Sequence, residues 1–235
     1  MRIAMWSGPR NLSPAMMYAF AQRADCAVWD EPFYAAYLAA TGLDHPMRDA
    51  ILAAGETDPR VVAARCAGPA PQGRAVFYQK QMTHHQLPGF PTDWMAEAAH
   101  VFLLRHPTRV VASYAKKREA PVLEDLGFVQ QRAIFERVRG MGLAPIVIDS
   151  ADVRADPERA LTGLCAALGL AFDPAMLAWP AGGRAEDGVW APHWYGAIHR
   201  STGFEAAEGP VPDLPGDLAA VAEAALPHYE AMRAG

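Results

Sequence analysis

The chain has 235 residues, 51% hydrophobic and 20% charged, with a formal net charge of −5, the balance of an ordinary globular protein built on one sizeable core. That acidic excess excludes a general attraction to nucleic acid, so an anion site would have to be a local gathering of Arg, Lys and backbone N–H groups. Three widely separated cysteines, Cys26, Cys66 and Cys165, lack zinc or disulfide spacing, and no stretch approaches the roughly 20 apolar residues of a membrane span, so a cytoplasmic protein without a signal segment is expected.

In chain order, Arg2–Trp6 reads as a short buried strand. The residues from Pro14 to Arg23 read as a helix with Ser13 as N-cap and Pro14 at its first position. A second strand, Cys26–Trp29, ends at Asp30-Glu31-Pro32, after which Phe33–Ala40, His45–Ala54 and Pro59–Cys66 read as helices closed by a Gly/Pro-rich turn. Further strands are expected at Arg74–Tyr78, His100–Leu104 and Pro145–Ile148, all short apolar runs without polar alternation. Helices are expected at Thr108–Lys117, Leu123–Arg139 and Pro157–Leu168. The alternation predicts an α/β fold, a doubly wound parallel sheet in three layers with helices on both faces. After Leu170 the pattern weakens into Trp, Gly, Pro and His, Gly203–Gly216 reads as a linker, and a helix near Leu214–Arg233 closes the chain. One domain over residues 1–235 is expected.

Each strand runs into a polar cluster: Ser7 to Ser13, Asp30-Glu31-Pro32, Gln79-Lys80, Arg105-His106-Pro107 and Asp149-Ser150. In a parallel sheet these ends share one edge, where ligands of such folds bind. The first cluster has the makings of an anion cradle: a turn after a strand, the N–H groups of a helix N-terminus, a cation in Arg10 and a hydroxyl in Ser13. It is not a Walker A loop, because Leu12-Ser13-Pro14 stands where a Gly-Lys-Ser/Thr run is required. The same residues could simply begin a helix.

The segment Pro9-Arg10-Asn11-Leu12-Ser13 after an N-terminal strand, with Arg105-His106-Pro107 and Ser113 following, resembles the two nucleotide-binding elements of the PAPS-dependent sulfotransferase family, in a bacterial form. The resemblance implies the P-loop-like fold, PAPS (3′-phosphoadenosine 5′-phosphosulfate) as co-substrate and no metal. It implies that Gly8, Pro9, Arg10, Asn11, Leu12 and Ser13 surround the 5′-phosphosulfate while Arg105 and Ser113 grip the 3′-phosphate. Family loops usually carry a small residue where this chain has Leu12.

A Glu-Pro pair after the second strand, as at Glu31-Pro32, is found in some members, where the glutamate is a proposed base for the acceptor hydroxyl. Here Asp30 or Glu31 could instead cap the next helix. By the same resemblance Lys80 stabilises charge on the bridging oxygen and His84 or His85 takes the acceptor proton, although Met82 stands where the family histidine would fall. The late stretch over residues 182–204, rich in aromatics and cations, is expected to form a lid or a flap packed on the core, with Arg200 and Ser201 as further 3′-phosphate contacts.

The expected activity is transfer of a sulfuryl group from PAPS to a hydroxyl or amine of a small-molecule acceptor entering above Glu31, beside the helical insertion over residues 33–66. The alternatives are a P-loop kinase-like phosphotransferase and a non-catalytic nucleotide-binding module. No nucleic-acid or membrane partner is expected, and a homodimer is left open.

Overall fold

Alternate residues of the central strands face opposite ways and each finds an apolar partner layer, which is why the strands lack polar alternation. Ile3 and Met5 of β1 (Arg2–Ser7) share one core with Tyr18, Phe20, Tyr78 and Leu103; Ala4 and Trp6 share the other with Phe102, Leu104, Val111 and Phe135. The computed structural model describes residues 1–116 and 120–235.

The remaining strands are β2 (Cys26–Asp30), β3 (Val76–Met82), β4 (Ala99–Leu104) and β5 (Ile146–Asp149). All pair in parallel in the order β2-β3-β1-β4-β5. The helices are α1 (Ser13–Phe20), α2 (Tyr34–Thr41), α3 (Arg48–Ala54), α4 (Pro59–Ala67), α5 (Pro107–Ala115), α6 (Leu123–Leu126), α7 (Phe128–Gly140), α8 (Ser150–Ala155), α9 (Pro157–Ala167), α10 (Ala191–Trp194) and α11 (Gly216–Arg233). Helices α1, α8 and α9 contribute to the first core, and α4, α5, α7 and α11 to the second. This is the expected three-layer α/β, P-loop-like architecture. Central β1 lies between β3 and β4, so the chain leaves it at the point where the strand order reverses, the place where such sheets open a ligand crevice. Among the described residues no helix is long and apolar enough to cross a membrane.

Several expected boundaries move, for local reasons. Strand β3 continues to Met82 instead of ending at Tyr78, because its buried polar side chains have partners: Gln79 Nε2 donates to the Cys66 carbonyl and Gln81 Nε2 to Gln79 Oε1. Helix α1 starts at Ser13, so Leu12 is the N-cap residue, and it stops at Phe20 rather than Arg23. The helix expected over Leu123–Arg139 is broken at Gly127, whose φ of 78° places it in the left-handed region. The helix expected over Thr108–Lys117 is observed as Pro107–Ala115, and its expected end at Lys117 lies outside the described residues.

Candidate active site

The loop after β1 is tied down backbone first. A Cβ at Gly8 would stand 2.5 Å from the Leu126 carbonyl oxygen, and one at Gly127 would stand 3.1 Å from the Gly8 Cα. Two glycines thus let the loop and the α6–α7 junction touch main chain to main chain. Asn11 fixes the next turn: its Oδ1 accepts the Leu12 N–H at 2.8 Å and its Nδ2 donates to the Leu103 carbonyl at 2.9 Å. Gln131 Nε2 donates to the Trp6 and Leu103 carbonyls, joining the ends of β1 and β4. Held this way, Arg10 has a φ of 57°, sparsely populated by non-glycine residues, and Leu12 turns its side chain onto the first core.

That turn sends the Arg10 side chain across the carboxyl edge to α5. Its Nε donates to Ser113 Oγ at 3.3 Å and its NH2 to the Ser113 carbonyl at 3.4 Å. Arg105, at the end of β4, donates to the Arg10 carbonyl at 2.6 Å. Arg10, Arg105 and Ser113 therefore stand together, with the Arg10 side chain at the Arg105/Ser113 end instead of apart from it at the loop. Burial, reinforced by the neighbouring Arg105 charge, lowers the Arg10 pKa; Arg105 itself is paired with Glu208. Ser13 is buried at the start of α1. The buried Ser7 hydroxyl at the end of β1 has no hydrogen-bond partner among the described residues, and neither has that of Ser150 after β5. Such orphaned donors beside two gathered guanidiniums fit the phosphate groups of a nucleotide.

A second cluster lies where β2 and β3 meet. Asp30 is paired in register with Lys80, and Glu31 follows with a φ of 42°. Lys80 Nζ donates to Asp30 Oδ1 at 3.0 Å and also to Glu31 Oε1, so neither carboxylate caps α2. All three are buried. One ammonium between two carboxylates leaves excess negative charge in a dry site. Burial, helped by Asp30 and opposed by Lys80, pushes the Glu31 carboxyl above the usual carboxylate range. For Lys80 burial works against the charge, but Asp30 and Glu31 outweigh it and the pKa rises.

The two candidate histidines part company. His85 stacks on Tyr34 at 4.3 Å between ring centres and tilts against Tyr37; its Nδ1 lies 3.7 Å from Glu31 Oε2 and has no hydrogen-bond partner among the described residues. Burial, with His84 and Lys80 adding, holds its pKa well below the ordinary value. His84 Nε2 instead meets the Glu124 carbonyl at 2.9 Å, and burial lowers its pKa.

The late stretch closes over this second cluster. Tyr195 Oη donates to Asp30, 2.8 and 2.9 Å from its two oxygens, and the Gly188 N–H donates to Asp30 Oδ2. Trp190 meets Tyr34 edge-on at 5.0 Å, while Asp187 accepts from Tyr18 Oη and pairs with His199. Ser201 accepts from Trp179 Nε1 and donates to the Ile198 carbonyl, and Arg200 is exposed. Among the described residues no hydrogen bond or ion pair joins Arg200 or Ser201 to Arg105. The Gly203–Gly216 stretch, which reads as a linker, lies instead against Arg105, Arg109 and Arg154.

Both clusters thus lie at the carboxyl edge of one parallel sheet, a cationic group with a serine and an acid–lysine–histidine group. A family model described as the sulfotransferase domain matches residues 1–235. The chain belongs to the sulfotransferase domain family. Two curated Arabidopsis thaliana proteins are similar to this sulfotransferase domain: branched-chain-amino-acid aminotransferase-like protein 1 is 39% identical over 232 residues, and protein 2 is 37% identical over 233. Each match takes in 98% of this chain and 41% of the relative, so the sulfotransferase domain spans less than half the length of the curated relatives it matches. Among solved structures, the sulfotransferase domain from the curacin biosynthetic pathway aligns with a TM-score of 0.58 at 16% identity, covering 95% of this chain and 96% of that one. The sulfotransferase from Alicyclobacillus acidocaldarius aligns with a TM-score of 0.53 at 13% identity, covering 74% and 87%. At those identities what is shared is the fold.

Asp30, Tyr195, Arg109, Arg154 and Glu208 are the residues at these clusters to which sequence reasoning assigned no such place. Asp30 stood in the right segment but as a cap. Glu208, in an Ala/Gly/Pro-rich stretch, carries no sequence signal that would have found it.

Proposed function

We propose that this domain transfers a sulfuryl group from PAPS to a hydroxyl or amine of a small-molecule acceptor, with residues 1–235 acting as one catalytic unit. The observation that carries the reading is the gathering of Arg10, Arg105 and Ser113 on the same sheet edge as Glu31, Lys80 and His85. Arg10, Arg105 and Ser113 hold the 3′-phosphate, and the main chain from Gly8 to Ser13 with the α1 N-terminus holds the 5′ end. The bound donor supplies a sulfuryl group whose bond to the 5′-phosphate breaks as its bond to the acceptor oxygen or nitrogen forms.

Glu31 takes the acceptor proton. Its pKa, raised above the usual carboxylate range, makes it a stronger base than an exposed glutamate, and His85, kept neutral against Tyr34 and Tyr37, stands beside its second oxygen. Lys80 keeps a fixed positive charge next to Glu31, which holds the carboxylate ionised until it takes the proton. The same charge offsets the negative charge that develops on the bridging oxygen as the sulfuryl group leaves. His84 takes no part in this reading, being turned to α6. The acceptor enters above Glu31, between α2 and the late stretch, where Tyr34, Tyr37, His85 and Trp190 pack into one buried aromatic cluster. We take the site of action to be the cytoplasm, a reading supported by three buried free cysteines.

A titration with adenosine 3′,5′-bisphosphate in the absence of Mg²⁺ tests the donor assignment. Tight binding supports sulfuryl transfer; ATP binding that depends on Mg²⁺ would instead support a P-loop kinase. Nucleotide binding with no turnover on any hydroxyl or amine acceptor, in the parent or in Glu31→Ala and Lys80→Ala variants, would leave a binding module.

A further inference from the structure

Between Glu205 and Asp213 the chain has no regular secondary structure, and Glu208 is the one residue of that stretch that is not exposed. Its carboxylate is inserted among three guanidiniums from three separate elements. Arg105 NH2, at the end of β4, donates to Glu208 Oε1; Arg154 NH1, from α8, lies 3.4 Å from the same oxygen; Arg109 Nε, from α5, lies 3.4 Å from Oε2. Arg109 and Arg154 also grip the strand of chain that carries Glu208, through the carbonyls of Gly209 and Ala206, and Arg154 pairs with Glu205.

The fit is incomplete. Glu208 Oε2 is buried yet has no hydrogen bond of its own among the described residues, so the carboxylate accepts hydrogen bonds from the guanidiniums through one oxygen and leaves part of its accepting capacity unused. A phosphate monoester carries up to two charges and three terminal oxygens, which matches three guanidinium forks better than a carboxylate does. Arg105 is also the residue that bonds the Arg10 carbonyl, so the carboxylate occupies a cation belonging to the Arg10–Ser113 cluster.

We propose that Arg105, Arg109 and Arg154 form one phosphate-monoester subsite, that the 3′-phosphate of the donor is its ligand, and that Glu208 is an internal occupant that the ligand must displace. This rests on the donor reading above. A segment with so little buried surface owes its position to the ion pairs, so exchanging the carboxylate for phosphate releases residues 205–209 while the rest of the fold stays in place. The cost of that exchange lowers apparent affinity, as any internal competitor does, and makes affinity depend on the 3′-phosphate specifically.

The test is calorimetric binding of adenosine 3′,5′-bisphosphate and of adenosine 5′-phosphate, at fixed ionic strength, to the parent protein and to Glu208→Gln, which keeps side-chain shape and removes the charge. The expected result is bisphosphate affinity raised about tenfold in Glu208→Gln, with 5′-phosphate affinity unchanged, since only the former meets the competitor. Equal bisphosphate affinities in the two proteins, a weaker affinity in the variant, or an equal gain for both nucleotides overturns the internal-occupant assignment and leaves the donor reading standing. Absence of bisphosphate binding to either protein overturns both. Should Glu208→Gln fail to fold, hydrogen exchange on the parent decides: faster exchange at residues 205–209 on saturation with bisphosphate supports the displacement, and unchanged or slower exchange overturns it.

Discussion

Tyr195 and Asp30 are joined across 165 positions of sequence by a hydrogen bond from the phenol to the carboxylate, 2.8 Å from one oxygen and 2.9 Å from the other. Through this bond the late stretch is tied to the acid–lysine cluster, because Asp30 also receives the Lys80 ammonium. Replacing Tyr195 by Phe keeps the ring and deletes the donor, so a loss of about 1.5–3 kcal/mol in unfolding free energy is expected, as for a hydrogen bond to a charged group. Urea denaturation measures it. A stability equal to the parent's would mean that the bond holds nothing in place.

Lys80→Met should be among the most damaging single changes in the protein. It strands Asp30 and Glu31 as buried carboxylates with no cation, and loss of one partner of a buried ionic group costs about 3–5 kcal/mol. Adding Asp30→Asn to Lys80→Met removes one of the stranded charges and should recover part of that loss. A double variant no more stable than the single one would contradict the shared-ammonium picture.

His85 makes stability depend on acid. The folded protein keeps its ring neutral where the unfolded chain, with a pKa near 6.5, takes up a proton, so the unfolded state binds more protons and stability is lost as pH falls below that value. The slope from this one group reaches about 1.4 kcal/mol per pH unit. His85→Phe retains an aromatic ring against Tyr34 and Tyr37, and in this variant the acid limb between pH 6.5 and 5 should flatten by that amount in thermal unfolding profiles.

Glu31 acts in the opposite sense on stability. Its folded pKa is raised, so its contribution is present at low pH and is lost as pH rises from the ordinary 4.5 through the folded value. As the proposed base it works only when ionised, so kcat/KM should rise with pH along a limb lying above the usual carboxylate range. Glu31→Gln should abolish that limb and lower kcat by about 10²–10⁴-fold. A parent profile with no limb above pH 4.5 would remove Glu31 from the role.

At the loop after β1 the test is steric. In Gly8→Ala the added methyl meets the Leu126 carbonyl oxygen at 2.5 Å, where backbone must shift, and overpacking of this kind costs about 1–3 kcal/mol. Because the shift falls on the loop that carries Arg10, bisphosphate affinity should drop in the same variant. A separate change, Arg105→Ala, should weaken bisphosphate binding by about 1.5–3 kcal/mol through loss of a charged hydrogen bond. Calorimetry on the two variants separates loop geometry from direct charge.

The parallel sheet was legible from composition of short runs alone. Ile3, Met5, Val101 and Leu103 serve one core while Ala4, Trp6, Phe102 and Leu104 serve the other, and a strand covered on both faces must be apolar throughout. The helix starts at Pro59 and Pro157 were legible because proline carries its own conformational constraint, whereas the helices expected from Pro14 and Thr108 each begin one residue earlier, at Ser13 and Pro107. Strand ends were less so. Gln79, Lys80 and Gln81 look like a polar terminus, and they extend β3 only because Cys66, Asp30 and Glu31 come from elsewhere to satisfy them.

What the amino-acid order determined by itself was therefore the layering and the strand ends at which polar groups collect, while the reach of Arg10 to Ser113 came from the fold. Tertiary structure alone decided which of two adjacent histidines faces Glu31, that Asp30 shares the lysine, that Tyr195 seals the cluster, and that Glu208 fills a nest of arginines. The physical reason is range. Periodicity and capping are settled by residues within a few positions of one another, whereas the partner of a buried charge is whichever opposite group the fold carries to it, and that group can lie more than a hundred residues away.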